Sequence, residues 1–306
     1  MKINDLKKEL KNAQTGDIKK ALIETYKQLS ASQRAQWDDA LLATLRHEPA
    51  PALDPDALFF EIGRFCDQAT QGLYRMPNHV VTKAEQARWR VQVQRYFKAL
   101  DAITPDDEAF AQSVAVMEKL VSTLSYAAKY ALFNTASPFA ALRQSQLSLF
   151  ATAIHRRLAL GATRQNLGAV CDWFARLVIE PQGSAGRLAD ALVAQVKTMP
   201  AREFLREIVK EKRQNMPDRA RRRLDLLAFF LDESLDMTAE GVQTYWQDEP
   251  GQTEILDFLF ELYEAGHLDA WRLAFAYATK RYGFTPSANM ARRYERLCET
   301  RQGNGV

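Results

Sequence analysis

Apolar residues recur along most of this chain at intervals of three and four positions, which is the repeat of one face of an α-helix. One stretch shows the pattern clearly, with apolar side chains at Trp89, Val93, Tyr96, Leu100 and Ile103. The two-residue alternation that is typical of a half-buried β-strand is essentially absent from the sequence. The hydrophobic pattern therefore predicts an all-α protein.

Proline marks the boundaries between these segments, because it lacks a backbone N–H and clashes with the preceding turn inside a helix. A capping residue precedes proline at Thr104-Pro105, Ser137-Pro138 and Thr285-Pro286, which predicts that a helix begins at each. Thr82 and Glu85 have the spacing of a capping box. These marks predict about fifteen helices, over residues 2–13, 17–29, 32–46, 56–73, 83–102, 105–133, 138–160, 164–179, 185–198, 201–214, 218–234, 239–247, 252–265, 268–281 and 287–299.

The spacing of the major breaks suggests stacked helical hairpins, since residues 105–138, 217–250 and 250–286 are each one hairpin long. The hairpins do not resemble one another, so an irregular helical array and an α-solenoid-like stack both fit. The proline-dense segment 47–55 is the clearest linker. It separates a small N-terminal helical unit, 1–47, from a main array, 54–306, with a further boundary possible near residue 135.

Composition narrows the class of protein. Of the 306 residues, 47% are hydrophobic and 26% charged, which is typical of a globular chain and excludes disorder. The first residues are charged, and no apolar run reaches the length of a membrane span. The three cysteines, Cys66, Cys171 and Cys298, are too scattered for a disulfide framework or a zinc site. We therefore expect a cytoplasmic protein that has no membrane partner.

The segment DRARRRLDLL, residues 218–227, places four arginines within five positions. Residues 202–223 carry nine positive and four negative charges, so a turn near Pro217 would create a compact basic corner. From 218 to 236, however, four positive charges face five negative ones. A solvated corner held by salt bridges is the ordinary structural explanation. The alternative is a binding surface that includes Arg219, Arg222 and Arg223.

The segment 83–102 presents a second basic face, formed by Arg88, Arg90, Arg95 and Lys98. No acid lies between Arg88 and Lys98, and arginine binds phosphates and carboxylates with fixed geometry. This face could bind nucleic acid. The ordinary structural explanation, which ranks ahead, is that this face pairs with acids of a neighbouring segment, such as those at positions 106–108. The interleaved aromatic residues fall on or beside the apolar side and are expected in the core rather than stacked on bases.

The basic–aromatic stretch LYRMPNHVVTKAEQARWRVQVQRYFKAL, residues 73–100, resembles a family of bacterial all-helical proteins of unknown function. The opening segment LKKELKNAQTGDIKKALIETYKQL is similar to the N-terminus of the same family, so the resemblance is strongest at residues 1–40 and 73–100. His79 departs from the family pattern, in which a basic residue is commoner. The matching positions are Tyr74, Pro77, Asn78, Lys83, Arg88, Trp89, Arg90, Arg95, Tyr96, Phe97 and Lys98. The resemblance implies an all-helical fold and no particular activity.

No motif in the sequence specifies a reaction. Glu264 and His267 have the spacing of half a di-iron site, but no second copy is present, so a structural histidine is the better interpretation. Ser184 lacks the preceding strand of a nucleophile elbow and is expected to begin a helix. We expect no cofactor and no metal. The leading hypothesis is a non-catalytic protein that binds a protein or peptide partner on a helical-array surface; nucleic-acid binding ranks second, and an enzyme of unrecognised type third.

Overall fold

The computed structural model describes residues 11–30, 54–135, 137–246 and 250–303, together with single residues at 9, 34, 38 and 41. Every regular element in these ranges is an α-helix, which confirms the all-α prediction. The helices are α1 (Thr15–Lys27), α2 (Pro55–Thr70), α3 (Lys83–Asp101), α4 (Phe110–Tyr130), α5 (Pro138–Leu142), α6 (Gln146–Ala159), α7 (Arg164–Arg176), α8 (Ala185–Gln195), α9 (Met199–Arg213), α10 (Asp218–Ser234), α11 (Thr238–Tyr245), α12 (Gln252–Ala265), α13 (Leu268–Tyr282) and α14 (Ala288–Gly303).

The chain divides into two compact units, residues 1–54 and 55–306. In the first unit, the guanidinium of Arg34 donates hydrogen bonds to the carbonyls of Leu29 and Lys27, both at 3.0 Å, at the end of α1. A cation suits this position because the last carbonyls of a helix have no partner within it. The helices expected over 2–13 and 32–46 lie largely outside the described residues.

Two of the boundaries expected from capping residues are confirmed. Thr82 Oγ1 accepts the backbone N–H of Glu85 at 3.2 Å, and the Glu85 carboxylate accepts the N–H of Thr82 at 2.8 Å. This is the reciprocal capping box that starts α3. Ser137 Oγ accepts the N–H of Ala140 at 3.2 Å, with Pro138 as the first residue of α5.

Two other boundaries were wrong, and a third has a different capping residue. Thr104 begins a turn, because the Asp107 carboxylate accepts its N–H at 2.5 Å and its hydroxyl at 2.9 Å, and α4 begins only after that turn. The last helix, expected over 287–299, begins at Ala288 as predicted to within one residue, but its capping hydroxyl is that of Ser287, which accepts the N–H of Met290 at 3.4 Å, and not that of Thr285. The single helix expected over 138–160 is two, since Arg143 adopts the left-handed conformation with φ of 58°.

The second unit contains two hydrophobic cores. The first core is built from buried residues between Leu58 and Ala153, and the second from buried residues between Phe150 and Phe284. Helix α6 supplies both, because its neighbouring residues Leu149 and Phe150 point to different cores. Trp173 on α7 packs against both of them, and its indole N–H donates to Ser122 Oγ at 2.8 Å. The two cores are therefore adjacent and directly joined.

Helix length varies widely within the described residues, from 5 in α5 to 21 in α4. Such unevenness fits an irregular array better than the repeated hairpin of a regular solenoid. No helix in the described ranges combines the length and the apolar character that crossing a bilayer requires.

Candidate binding cleft

Helices α8, α10, α11 and α12 surround a cleft of about 650 Å³ on the second core. All four arginines of the segment 218–227 line it, together with Arg213 at the end of α9. Five carboxylates lie among them, on α10 and α12. The N-terminal half of α10 forms one wall because Leu224 and Leu227, which are fully buried, anchor its opposite face in the core.

Three of the five arginines are neutralised by ion pairs. Arg221 pairs with Asp218 at 2.9 Å, one turn away on α10. Two more pairs cross between helices, with Arg222 contacting Glu254 of α12 at 2.6 Å and Arg213 contacting Asp225 at 2.7 Å. The basic corner that the sequence indicated is thus largely salt-bridged, as the ordinary interpretation expected.

Arg223 points inward and has a different role. Its guanidinium is buried and donates to the carbonyl of Leu177, and to those of Phe174 and Ala175 at 3.3 Å, at the end of α7. These carbonyls lack partners within the helix, so the cation satisfies them and opposes the negative end of the helix dipole. Burial, reinforced by the neighbouring charge of Arg219, lowers the pKa of Arg223 to about 10. The group stays protonated at neutral pH.

Arg219 is the uncompensated cation of the cleft. It is exposed, lines the cleft one turn before Arg223, and forms no ion pair with any described residue. Residues four apart on a helix lie on the same face, so the two guanidiniums approach one another. The result is a local concentration of positive charge in a cleft whose five arginines and five carboxylates balance overall.

Glu261 of α12 is already engaged by the start of α8. Its carboxylate accepts the Ser184 hydroxyl at 2.6 Å and the backbone N–H of Gly186 at 2.7 Å. An acid at a helix N-terminus is stabilised by the unpaired N–H groups there. Ser184 also accepts the N–H of Arg187 at 3.1 Å, which confirms its predicted role as a helix-starting residue. A side chain at Gly186 would lie 2.4 Å from the Glu261 carbonyl oxygen, so only glycine allows this close approach.

Aromatic side chains form the remaining wall. The rings of Tyr245 and Phe258 stack with centroids 4.0 Å apart. Trp246 is buried, and its indole N–H has no acceptor among the described residues. Phe260 is 57% exposed although it borders the cleft. Asp257 is also exposed and has no cationic partner among the described residues, so this part of the cleft offers a ligand an apolar surface and a polar contact.

The basic face on α3 is exposed, as the sequence indicated, with Arg88, Arg90, Arg95 and Lys98 all at the surface. Only Arg95 has a carboxylate partner among the described residues, Glu61 of α2. The acids at 106–108 that were expected to pair with this face do not do so in any described contact. Helix α3 packs into the first core and α10 into the second. The four basic residues predicted on α3 and the three arginines predicted on α10 therefore lie on different helices that cover different cores.

His267 is held between two carboxylates. Its Nε2 lies 3.2 Å from Asp190 Oδ1 and its Nδ1 lies 2.6 Å from Glu233 Oε2. These hydrogen bonds, first that of Asp190 and then that of Glu233, raise the pKa of the histidine to about 9. The charged ring ties together α8, α10 and the start of α13. Within the described residues, no group of three or more metal-ligating side chains is assembled.

Comparison with protein-family models, with curated proteins and with solved structures gives no match for this chain. The resemblance stated for residues 1–40 and 73–100 therefore stays a prediction.

Proposed function

We propose that this protein is a non-catalytic interaction protein that binds a peptide segment of a protein partner in the cleft between α8, α10, α11 and α12. The observation that carries the proposal is an uncompensated cation, Arg219, beside an exposed aromatic ring, Phe260, in one cavity. The volume of about 650 Å³ falls in the range of ordinary ligand sites, which is about 300–1,000 Å³. It accommodates a few side chains of a peptide.

The charge balance of the cleft favours a peptide over a polyanion. Five arginines face five carboxylates, and three of the arginines are already paired. A nucleic-acid strand presents a negative charge at every phosphate and requires a continuous run of free cations. Among the described residues, Arg219 is the one exposed cation of the cleft without an ion-pair partner, and several acids lie in the same lining. A partner with a single local charge and apolar neighbours suits it better.

The test is affinity capture from cytosol, with and without nuclease, using the tagged full-length protein and two matched variants. Arg219→Glu reverses the free cation of the cleft, whereas Arg90→Glu reverses an exposed arginine of α3 that likewise has no carboxylate partner among the described residues. We expect a nuclease-resistant protein that Arg219→Glu loses and Arg90→Glu retains. Equal recovery by both variants would refute binding in the cleft.

Nucleic-acid binding is the second candidate function, and the exposed basic face of α3 supports it. Arg88, Arg90 and Lys98 are exposed and have no carboxylate partner among the described residues. Each phosphate that they neutralise releases a counterion, so affinity should fall steeply with salt. Arg90→Glu combined with Lys98→Glu should abolish this binding, while Arg219→Glu should leave it intact. Salt-independent binding, or binding that survives the double reversal, would exclude this candidate.

A further inference from the structure

We propose that the cleft recognises a carboxylate group of the bound peptide, which pairs with Arg219 while an adjacent apolar side chain packs on Phe260. This inference rests on the proposed function and specifies its ligand. Two independent features of the cleft lead to it: the arginine pair Arg219 and Arg223, and the exposed apolar stripe of α12.

The two neighbouring arginines, Arg219 and Arg223, favour the binding of an anion. Arg223 cannot turn away from Arg219, because three backbone carbonyls at the end of α7 hold its guanidinium in place. The nearest stabilising acid, Glu261, is committed to the start of α8. Burial lowers the pKa of Arg223, and the neighbouring charge of Arg219 adds to that effect. An anion bound at Arg219 would offset the repulsion between the two arginines.

The indole of Trp246 is a reporter for the cleft. Its side chain is 2% exposed and lines the cleft, and its Nε1–H is buried and has no acceptor among the described residues. The NMR signal of this N–H should therefore respond when a ligand occupies the cleft.

The acids of α12 decide between a carboxylate and a phosphate. Glu254, Asp257 and Glu261 all line the cleft from that helix, and Asp257 has no cationic partner among the described residues. A phosphate monoester carries close to two negative charges at neutral pH and would meet this row of like charges. A carboxylate carries one charge, which matches the single free cation.

The exposed apolar stripe of α12 indicates what accompanies the carboxylate. Leu256 and Phe260, at 42% and 57% exposure, lie one turn apart on that helix. Tyr263 continues the stripe, but its ring is covered by the guanidinium of Arg293 at 4.0 Å. Phe260 alone borders both the stripe and the cleft. An aromatic or aliphatic side chain next to the carboxylate would bury this surface.

The experiment follows the indole N–H signals of the ¹⁵N-labelled full chain by NMR. The chain has five tryptophans, and Trp246→Phe identifies the signal of interest. Four probes are titrated to about 10 mM, well above a millimolar Kd. N-acetyl-phenylalanine carries a terminal carboxylate, and its amide is the neutral control. N-acetyl-aspartyl-phenylalanine amide carries a side-chain carboxylate, and phenyl phosphate carries the competing anion.

We expect at least one carboxylate probe to shift the Trp246 signal, with the neutral amide binding about tenfold more weakly or not at all. The better of the two carboxylate probes tells whether the natural ligand is a chain end or an acidic side chain. Arg219→Gln should weaken the response at least about tenfold, whereas Arg90→Gln, which removes an exposed arginine of α3 outside the cleft, should leave it nearly unchanged.

Three results would overturn the inference: equal binding of acid and amide, tighter binding of phenyl phosphate, or no shift with any probe. Each is distinguishable from failure of the proposed function. A partner that Arg219→Glu still loses would keep the cleft as a peptide site with a different chemistry, while a partner unaffected by Arg219→Glu would remove the cleft altogether.

Discussion

The two cores of the second unit each contain a buried arginine that holds the end of a neighbouring helix, and the surroundings of these two groups differ. In the first core, Arg156 donates to the Ile103 carbonyl at 3.0 Å, just after α3, and to Ser113 Oγ at 2.8 Å. Its guanidinium also lies 4.6 Å from the centroid of the Phe110 ring. In the second core, Arg223 does the same for α7, but it lines a cleft.

The two buried arginines, Arg156 and Arg223, differ in the charges of their neighbours. Burial lowers the pKa of both groups, and Asp101 counteracts that effect at Arg156. At Arg223, the charge of Arg219 adds to the effect of burial and Glu261 counteracts it in part. The first site has an acid, Asp101, close to its arginine, although the Nε–H of Arg156 has no acceptor among the described residues. The second site has a further cation, Arg219, close to its arginine at the edge of a cavity. An arginine at the end of a helix is therefore structural in itself, and only the balance of its neighbours marks a binding site.

Removing the buried guanidinium of each core should give the largest changes in the free energy of unfolding. We expect Arg223→Met to lower the free energy of unfolding by about 3–4 kcal/mol, because three carbonyls at the end of α7 lose their donor. Arg156→Met strands one carbonyl and one hydroxyl and should cost about 2 kcal/mol. Urea denaturation measures both. A larger loss for Arg156→Met would show that the two sites have been ranked in the wrong order.

Helix packing should give the next effect, with opposite signs in the two cores. Gly186→Ala in α8 forces a methyl group against the backbone of α12 and should cost about 2–3 kcal/mol. Gly63→Ala in α2 meets no atom within 4 Å and should stabilise the protein by about 0.5–1 kcal/mol, since alanine favours a helix. Thermal unfolding of both variants tests this contrast. Destabilisation by Gly63→Ala would contradict it.

The contacts of His267 with Asp190 and Glu233 should make the stability of the second core depend on pH. Folding raises the pKa of His267 from 6.5 to about 9, so its contribution is fully present below pH 6.5 and is lost as the pH rises through about 9. We expect a loss of about 1–2 kcal/mol across that window, allowing for the solvent that reaches the half-buried ring.

His267→Gln should abolish this part of the pH dependence and should be less stable than the wild type below pH 6.5. Denaturation midpoints at several pH values provide the measurement. An identical pH profile in the variant would mean that other groups produce the effect.

The smallest effect should come from the free cation itself. Arg219→Gln removes an exposed side chain without an ion-pair partner among the described residues, so we expect stability to change by less than about 0.5 kcal/mol. Denaturation of this variant beside Arg223→Met therefore separates the binding arginine from the structural one. A loss comparable to that of Arg223→Met would assign Arg219 to the fold and would remove the basis for a ligand.

Local patterns were sufficient for the fold class and for some helix starts. The period of apolar residues identified the all-α architecture, and the reciprocal contact of Thr82 and Glu85 follows from their spacing alone. The break at Arg143 was missed because the left-handed conformation of a non-glycine residue has no clear sequence signal. The turn at Thr104 was missed because its hydroxyl and the Asp107 carboxylate bond each other instead of a helix start.

The candidate site was only half accessible from sequence. The charge cluster directed attention to Arg219, Arg222 and Arg223, all of which line the cleft. A helical wheel could not show that Arg223 alone turns inward, because that depends on where α7 ends in space. Asp257 and Trp246 were missed, since only tertiary packing places them opposite α10. A long-range ion pair such as Arg222–Glu254 leaves no signal in a single sequence.

Trp173 lies where the two cores meet, with its ring 5.0 Å from that of Phe150 and its N–H bonded to Ser122 of the first core. Unfolding of either core would expose one face of this indole. It would therefore break contacts that also belong to the other core. The two cores should therefore behave as one cooperative unit. A ligand that binds in the cleft of the second core would then also stabilise the first core, which the ligand does not contact.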